Sequence, residues 1–454
     1  DSLVPAPDDF INPVPPVTPL TSKQFLAIID EVRAAIAEGI HPVRIAQGSS
    51  GSYFCKNRLG EVVGVFKPKD EEPYGQLNPK WTKWVHKNLF PCCFGRSCLI
   101  PNLGYISEAA ASYLDRRLEL NVVPRTEIVY LSSTSFYYNA KDTKAYRLHG
   151  VPLPEKIGSF QIFLKGFRDA TTFFKQGYRH IFDAVPRYGD RSTTSYSHTP
   201  TQPSSSSSGG PPLPAWSPQM QREFQWGFER LVVLDYLQRN TDRGLDNWMP
   251  GPTDARRGAA ASRSHVQIAA IDNGLAFPYK HPDRWRSYPY GWAFLPIARV
   301  PFSEETRRQI LHLLTSPTWW KETYDGMEAL FRLDSDFNET MFRKQKAVLR
   351  GEGYNLVEVL QRSRSGDPLT GSPLALVRRP VVAVYEEVLD EDGGDEYDDD
   401  VLLTGAPHGR GTRRKRSRRR GRPRGFVARS KRGFHRVRQR FETFTKSQPF
   451  FHFC

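Results

Sequence analysis

The chain has 454 residues, 39% of them hydrophobic, with 64 Lys and Arg against 49 Asp and Glu for a net charge of +15. That length holds one large two-lobed domain with appendages, and no apolar run reaches the ~18 residues that would cross a bilayer. Sixteen of the Lys and Arg, with no acid among them, fall between 410 and 440, so the basicity is local and excludes a surface that grips nucleic acid throughout.

Residues 1–20 are Pro-rich and read as a disordered linker. The first residue is Asp1 rather than Met, which leads us to expect an upstream segment. From 21 to 39, Phe25, Ile28, Ile29, Val32 and Ile36 share one helical face. Gly48-Ser49-Ser50-Gly51-Ser52-Tyr53 then separates strand-like Val43-Arg44-Ile45-Ala46 from Val62-Val63-Gly64-Val65-Phe66-Lys67. This spacing predicts a hairpin tip whose backbone N–H groups can approach a phosphate. It lacks the Gly-Lys-Ser/Thr ending of a Walker loop. Lys67 ends the second strand, where an amine can meet an anionic ligand.

In 80–89, Trp81, Trp84, Val85 and Leu89 fall on one face beside Lys80, Lys83 and Lys87, the pattern of an interfacial helix. Cys92 and Cys93 follow. With Cys55, Cys98 and Cys454 the cysteines are odd in number and suit neither a disulfide framework nor a zinc site. Glu108, in Ser107-Glu108-Ala109-Ala110-Ala111-Ser112, is a candidate helical partner for Lys67. Residues 158–164 read as an apolar strand. The Ser, Gly and Pro-rich stretch 184–218 has little to bury and reads as an insertion. A helix over 219–239, apolar at Phe224, Phe228, Leu231, Val232, Leu234 and Tyr236, leads into the polar loop 240–247. A second insertion, 251–264, precedes the strand Ile268-Ala269-Ala270-Ile271. An aromatic cluster follows it, with Trp285, Tyr288, Tyr290, Trp292 and Phe294, and 304–350 is again helical. The tail is charge-segregated, with ten acids in 386–400 ahead of the basic run.

The chemistry sits in two short strings. Asp242 stands five residues before Asn247, and Asp272 stands two before Gly274 at a strand end. Protein kinases carry this arrangement. One carboxylate handles the acceptor hydroxyl, while an Asn amide and a second carboxylate hold a divalent cation against nucleotide phosphates. Asp242 is accordingly the candidate for the hydroxyl. Asn247 and Asp272 are the candidate metal ligands, because Mg²⁺ prefers hard oxygen donors. Asp246 joins that shell or buttresses the loop. The expected fold is α+β, a two-lobed protein-kinase-like fold with a β-rich N-lobe and a mainly helical C-lobe, carrying disordered inserts and tail. The N-lobe is expected over 21–183, the C-lobe over 219–380, and the charged tail with its aromatic end over 381–454.

Longer strings are more specific. Gly48-Ser49-Ser50-Gly51-Ser52-Tyr53-Phe54, Val65-Phe66-Lys67-Pro68-Lys69, Glu71-Glu72-Pro73-Tyr74-Gly75, Pro91-Cys92-Cys93-Phe94-Gly95-Arg96 and Ile271-Asp272-Asn273-Gly274-Leu275-Ala276-Phe277-Pro278 resemble the type II phosphatidylinositol 4-kinases. So does Phe228-Glu229-Arg230-Leu231-Val232-Val233-Leu234-Asp235-Tyr236. The resemblance implies transfer of the ATP γ-phosphate to the 4-hydroxyl of phosphatidylinositol, with Mg²⁺ or Mn²⁺. It implies nucleotide contacts from Ala46, Gln47, Gly48, Ser49, Ser50, Gly51, Ser52, Lys67 and Asp272, with Gln161, Ile162, Phe163 and Leu164 as the hinge. It also implies substrate contacts from Glu72, Pro73 and Tyr74, membrane contacts from Trp81, Trp84, Trp285, Trp292 and Phe294, and acylation of Cys92 and Cys93. Leu89 and Phe90 stand where the family has two further cysteines. Gly244 stands where the phosphoinositide 3-kinase-like loop has His, so neutralising charge at the catalytic loop falls to Lys67 or Arg243.

The resemblance further implies attachment to the cytosolic face of the trans-Golgi network, endosome and plasma membrane, with an anionic lipid surface as partner. The tail leaves a second reading open. Arg420-Gly421-Arg422-Pro423-Arg424-Gly425 resembles an AT-hook, which would suit a kinase-fold scaffold binding DNA or acidic partners, or a nuclear-import signal. A catalytically dead scaffold would have lost Lys67, Asp242 or Asp272, and all are present.

Overall fold

The computed structural model describes residues 20–46, 51–72, 96, 98–175, 217–252, 266–282, 288–362 and 370–377, together with the backbone of 383–389 and 434–440. Strands β1 (Val43–Arg44), β2 (Tyr53–Lys56), β3 (Val62–Pro68), β4 (Thr126–Leu131) and β5 (Lys156–Ile162) form one antiparallel sheet in the order β1-β2-β3-β5-β4. Phe66 lies opposite Phe160 and Lys67 opposite Ser159. Successive strand residues face opposite sides, so the register sends two rings one way and Lys67 the other. Helix α1 (Ser22–Ala37), closed at its start by a Thr21–Gln24 capping box, covers the ring side. Its Phe25, Ile29 and Val32 pack with Tyr53, Cys55, Phe66, Val129, Leu131, Phe136 and Phe160. Phe25 meets Phe160 edge-on at 5.9 Å. The Phe160 ring fills the space a Cβ at Gly64 would occupy, 2.1 Å from it, so this strand position needs glycine.

Helix α2 (Gly104–Arg117) takes the other face, and its Tyr105, Ile106, Ala110 and Leu114 belong to the larger core with the helical lobe. An exposed helix, α3 (Ala140–His149), joins β4 to β5 and buries no residue. After β5 a short helix, α4 (Ala170–Lys175), leads toward α5 (Pro218–Leu237). Phe173 stacks on Phe224 at 6.2 Å and Phe174 meets Trp248 at 5.8 Å, so α4 packs as part of the helical lobe.

Helix α5 is buried on all sides from Gly227 onward, so the charged residues it carries there must find partners. Its buried Glu229 closes the start of α6 (Glu304–Leu314): Ser303 donates N–H at 3.0 Å and O–H at 2.6 Å, and Thr306 donates its hydroxyl at 2.6 Å. Helices α7 (Pro317–Phe331), α8 (Glu339–Arg362) and α9 (Pro373–Leu376) complete the lobe. The hairpin of β6 (Trp248–Pro252) and β7 (Val266–Ala270) pairs Gly251 with Gln267 and Pro252 with Val266. The first two residues of the expected 251–264 insertion are thus strand. Lys69, just past β3, ties the lobes by bonding Asp334 at 2.9 Å and Asp336 at 3.1 Å. Residues 384–438 form a separate unit. There β8 (Ala383–Leu389) and β9 (Phe434–Arg440) pair as a two-stranded sheet, regular structure inside a stretch expected to have none.

Two outcomes follow from this packing. Phe160→Ala should cost about 3–5 kcal/mol of stability, measurable by denaturant unfolding, because α1 and the sheet cannot close around the void. The second concerns Asp115, which is buried on α2 and accepts the Val122 N–H at 2.9 Å; burial pushes its carboxyl up to about 7. The unfolded value is about 3.9, so the folded chain holds a proton that the unfolded chain releases. The stability that Asp115 contributes is full below the unfolded value and is lost as pH rises through the folded one. The Tm of Asp115→Asn relative to the parent should therefore climb between about pH 4 and about pH 7. A difference independent of pH would contradict the assignment.

Candidate active site

Lys67 points from β3 toward α2, where its Nζ lies 2.5 Å from Glu108 Oε1 and 3.0 Å from Asp272 Oδ1. Burial alone would push the ammonium down. The carboxylates of Asp272 and Glu108 outweigh it, and the pKa is raised. The second oxygen of Glu108 accepts the Asn273 N–H at 3.0 Å. One carboxylate on α2 thus holds both the lysine and the backbone after Asp272. Coulombic attraction from Lys67 holds the Asp272 carboxyl below its usual range. Asp272 itself has a φ of 52°, a left-handed conformation in which Asp and Asn are enriched among non-glycine residues.

The β6–β7 hairpin explains why distant residues meet. Trp248 pairs with Ala270, and Asn247 O accepts the Ile271 N–H at 3.1 Å just beyond the ladder. Asn247 and Asp272 are therefore brought to one end of the hairpin. The Asn247 Nδ2 donates to Asp242 O at 2.8 Å, which turns the amide oxygen to the opposite side. Asp242 N donates to Asn240 Oδ1 at 2.8 Å and Thr241 N to Leu275 O at 3.0 Å, pinning the loop to the chain after Asp272. The Asp242 carboxylate is 44% exposed. Burial raises its pKa, and Arg96 opposes the rise.

Arg243, expected as a neutralising group, is fully buried and points away from the cleft. Its Nε bonds Asp235 at 2.8 Å, and its other nitrogens donate to Asn247 O, Ile271 O and Asn273 Oδ1. It is a strut inside the loop. The cation that reaches Asp242 is Arg96, whose NH2 lies 2.7 Å from Oδ1. No periodicity or spacing marks Arg96 in the sequence, and it was missed as a site residue. Asp235 carried a weak signal, as an acid set in the apolar run from Leu231 to Tyr236.

The expected nucleotide residues divide. Ala46 and Ser52 stand on the two arms of the β1–β2 hairpin, where Ile45 N donates to Ser52 O at 2.8 Å, and Gly51 N donates to Glu71 O at 2.9 Å. Gln47, Gly48, Ser49 and Ser50 lie outside the described residues. Gln161 bonds Thr126 through its side chain at 3.1 Å. Ile162 and Phe163 donate their N–H groups to Arg125 O and Val63 O, both at 3.0 Å, so neither is left for a base. Leu164 follows outside the strand.

Glu72 is not placed as a substrate contact. It is buried and accepts the Gly104 N–H at 3.1 Å, at the positive end of α2; burial pushes its carboxyl up to about 7. Trp292 also departs from expectation. It is fully buried, stacks on Tyr290 at 4.7 Å and donates its indole N–H to Asp235 at 3.1 Å. A Trp this deep finds a polar partner for its one donor and is unavailable to lipid. Phe294, two residues on, is 67% exposed. Pro73, Tyr74, Trp81, Trp84, Trp285, Cys92 and Cys93 lie outside the described residues.

The chain matches the family described as phosphatidylinositol 3- and 4-kinase over residues 48–351. It is 44% identical over 384 residues to phosphatidylinositol 4-kinase type 2-alpha of Danio rerio, covering 80% of this chain and 77% of that one. Similarity to phosphatidylinositol 4-kinase type 2-beta of Danio rerio is 44% over 385 residues, covering 80% and 69%. With phosphatidylinositol 4-kinase LSB6 of Saccharomyces cerevisiae it is 41% over 427 residues, covering 84% and 68%. The chain belongs to the phosphatidylinositol 3- and 4-kinase family, among its type II phosphatidylinositol 4-kinases.

Proposed function

We propose that this protein transfers the γ-phosphate of ATP to the 4-hydroxyl of phosphatidylinositol at a membrane surface. The observation that carries the reading is the convergence of Lys67, Glu108 and Asp272 beside Asp242 and Asn247, in a chain whose relatives are named for that activity. Lys67, steadied by Glu108, contacts the nucleotide phosphates. Asp242 receives the acceptor hydroxyl and takes its proton as the new oxygen–phosphorus bond forms and the bond from the γ-phosphorus to the bridging oxygen breaks, releasing ADP. The donor set suits a hard divalent cation: a half-exposed Asp272 carboxylate and the Asn247 amide oxygen are oxygen ligands of the type Mg²⁺ or Mn²⁺ takes. When bound, such a cation neutralises charge on the transferring phosphates. The Leu164 backbone and the β1–β2 hairpin frame the nucleotide.

Access to a bilayer substrate is served by exposed Phe294, on the 3₁₀ turn Gly291–Phe294 after the Asp272 segment. Trp81, Trp84, Trp285 and acylated Cys92 and Cys93 complete the contact in this reading. The 410–440 basic run adds attraction to anionic lipid on the cytosolic face of trans-Golgi, endosomal and plasma membranes. Among the described residues no helix is long and apolar enough to cross a membrane.

Lys67→Ala and Asp272→Ala should each lower turnover by about a hundredfold or more on phosphatidylinositol vesicles with ATP, as loss of preorganised charge does. The ring position of the product phosphate identifies the acceptor hydroxyl, and near-parent turnover in either variant would sink the assignment. Phe294→Ser should weaken vesicle flotation several-fold while leaving Tm unchanged. Trp292→Ala should instead cost ~3–5 kcal/mol of stability. The reverse pattern would return Trp292 to the membrane.

A further inference from the structure

Arg96 makes contacts that no role above explains. One planar guanidinium donates to two consecutive residues of the catalytic loop, to Thr241 O through NH1 and to Asp242 Oδ1 through NH2, the latter at 2.7 Å. Its carbon lies 4.4 Å from the centre of the Tyr288 ring, within the range of a cation–π contact. Tyr288 itself holds a φ of 42°, a conformation a bulky residue keeps only where its surroundings impose it. The Arg96 side chain is 12% exposed, against 44% for the carboxylate it meets. Asp272 and Asp246, both negative, also act on Asp242. Lys67 is taken by Glu108 and Asp272, and Arg243 is buried on Asp235.

We propose that Arg96 is the positioning residue of the catalytic carboxylate: it holds Oδ1 of Asp242 so that Oδ2 meets the acceptor hydroxyl, with the Tyr288 ring as its backstop. The inference rests on the reading of Asp242 as the group facing that hydroxyl. The two donors fix the carboxylate rotamer and the loop together, which a lysine ammonium does less well because it lacks the planar fork. Arg96 precedes α2 in the chain and Tyr288 follows the Asp272 segment, so the alignment of Asp242 depends on elements from both sides of the cleft.

The test is steady-state kinetics on phosphatidylinositol vesicles with the full chain. Arg96→Ala should lower kcat by about ten- to a hundredfold, the cost of a misaligned reacting group, with KM for ATP within about twofold of the parent. Arg96→Lys should fall between the two. Millimolar guanidinium should restore part of the kcat of Arg96→Ala and none of that of Asp242→Ala. Tyr288→Leu should lose several-fold in kcat, while Tyr288→Phe, which keeps the ring, stays near the parent. Parent-like kcat in Arg96→Ala, with Asp242→Asn inactive, would overturn the positioning role and leave the reading of Asp242 standing. An active Asp242→Asn would instead remove that reading. A kcat loss that neither Lys nor guanidinium relieves, matched by an equal fall in Tm, would make Arg96 a structural residue and overturn the inference.

Discussion

Everything at the centre of this molecule depends on the two oxygens of Glu108. Its side chain is 3% exposed, so its charge is tolerable only if paired and hydrogen-bonded. Lys67 supplies the cation to one oxygen and the Asn273 N–H saturates the other. The first bond fixes how β3 sits over α2, and the second fixes where the chain runs after Asp272. Removing Lys67 would leave a buried carboxylate without its main counter-charge, which costs far more than the pair contributes. The sheet, the helix and the strand end are thereby aligned by one side chain.

A second buried pair does the same for the loop. Asp235 sits in an apolar run of its helix and would be costly there alone. It receives Arg243 at 2.8 Å and Trp292 at 3.1 Å, with the Tyr290 hydroxyl on its backbone oxygen at 3.3 Å. Arg243 then reaches the carbonyls of Asn247 and Ile271 and the amide of Asn273. The guanidinium fork thus bonds the backbone on both sides of the β6–β7 hairpin, next to the two candidate metal ligands. Its place in the loop follows from burial, and the same burial keeps it from any phosphate.

That Lys67, Asp242, Asn247 and Asp272 gather in one place was legible in the sequence, because the kinase-like pattern fixes their order and spacing. Glu108 was only one candidate for the lysine's partner, since helical Glu residues look alike until the fold is seen. What the sequence did not carry is depth. Trp292 and Phe294 are aromatic residues two apart in the same segment, yet one is buried and the other 67% exposed. Composition cannot separate them, because the difference lies in whether Asp235 is there to take an indole N–H. Glu72 was misread for a similar reason, since its partner is the start of a helix more than thirty residues away. The side on which α4 packs was not legible, because Phe173 and Phe174 look alike against either lobe until Phe224 and Trp248 are seen beside them. Helix α3 gave no signal, as Ala-Lys-Asp-Thr-Lys-Ala-Tyr-Arg-Leu-His has no apolar stripe and the structure buries none of it.

The two carboxylates on Lys67 are not equivalent, and the difference bears on how a nucleotide would enter. Glu108 is 3% exposed, whereas Asp272 is 53% exposed. On the proposed function, a phosphate arriving with its cation would replace Asp272 on the lysine at little desolvation cost, because Asp272 would gain the cation in exchange. It cannot replace Glu108 without stranding a buried charge. The Lys67–Asp272 contact at 3.0 Å is therefore the exchangeable half of the pair, and Glu108 is the fixed half that keeps the amine aimed. Lys69, two residues on, binds Asp334 and Asp336, so the end of β3 would stay held to the helical lobe through such an exchange.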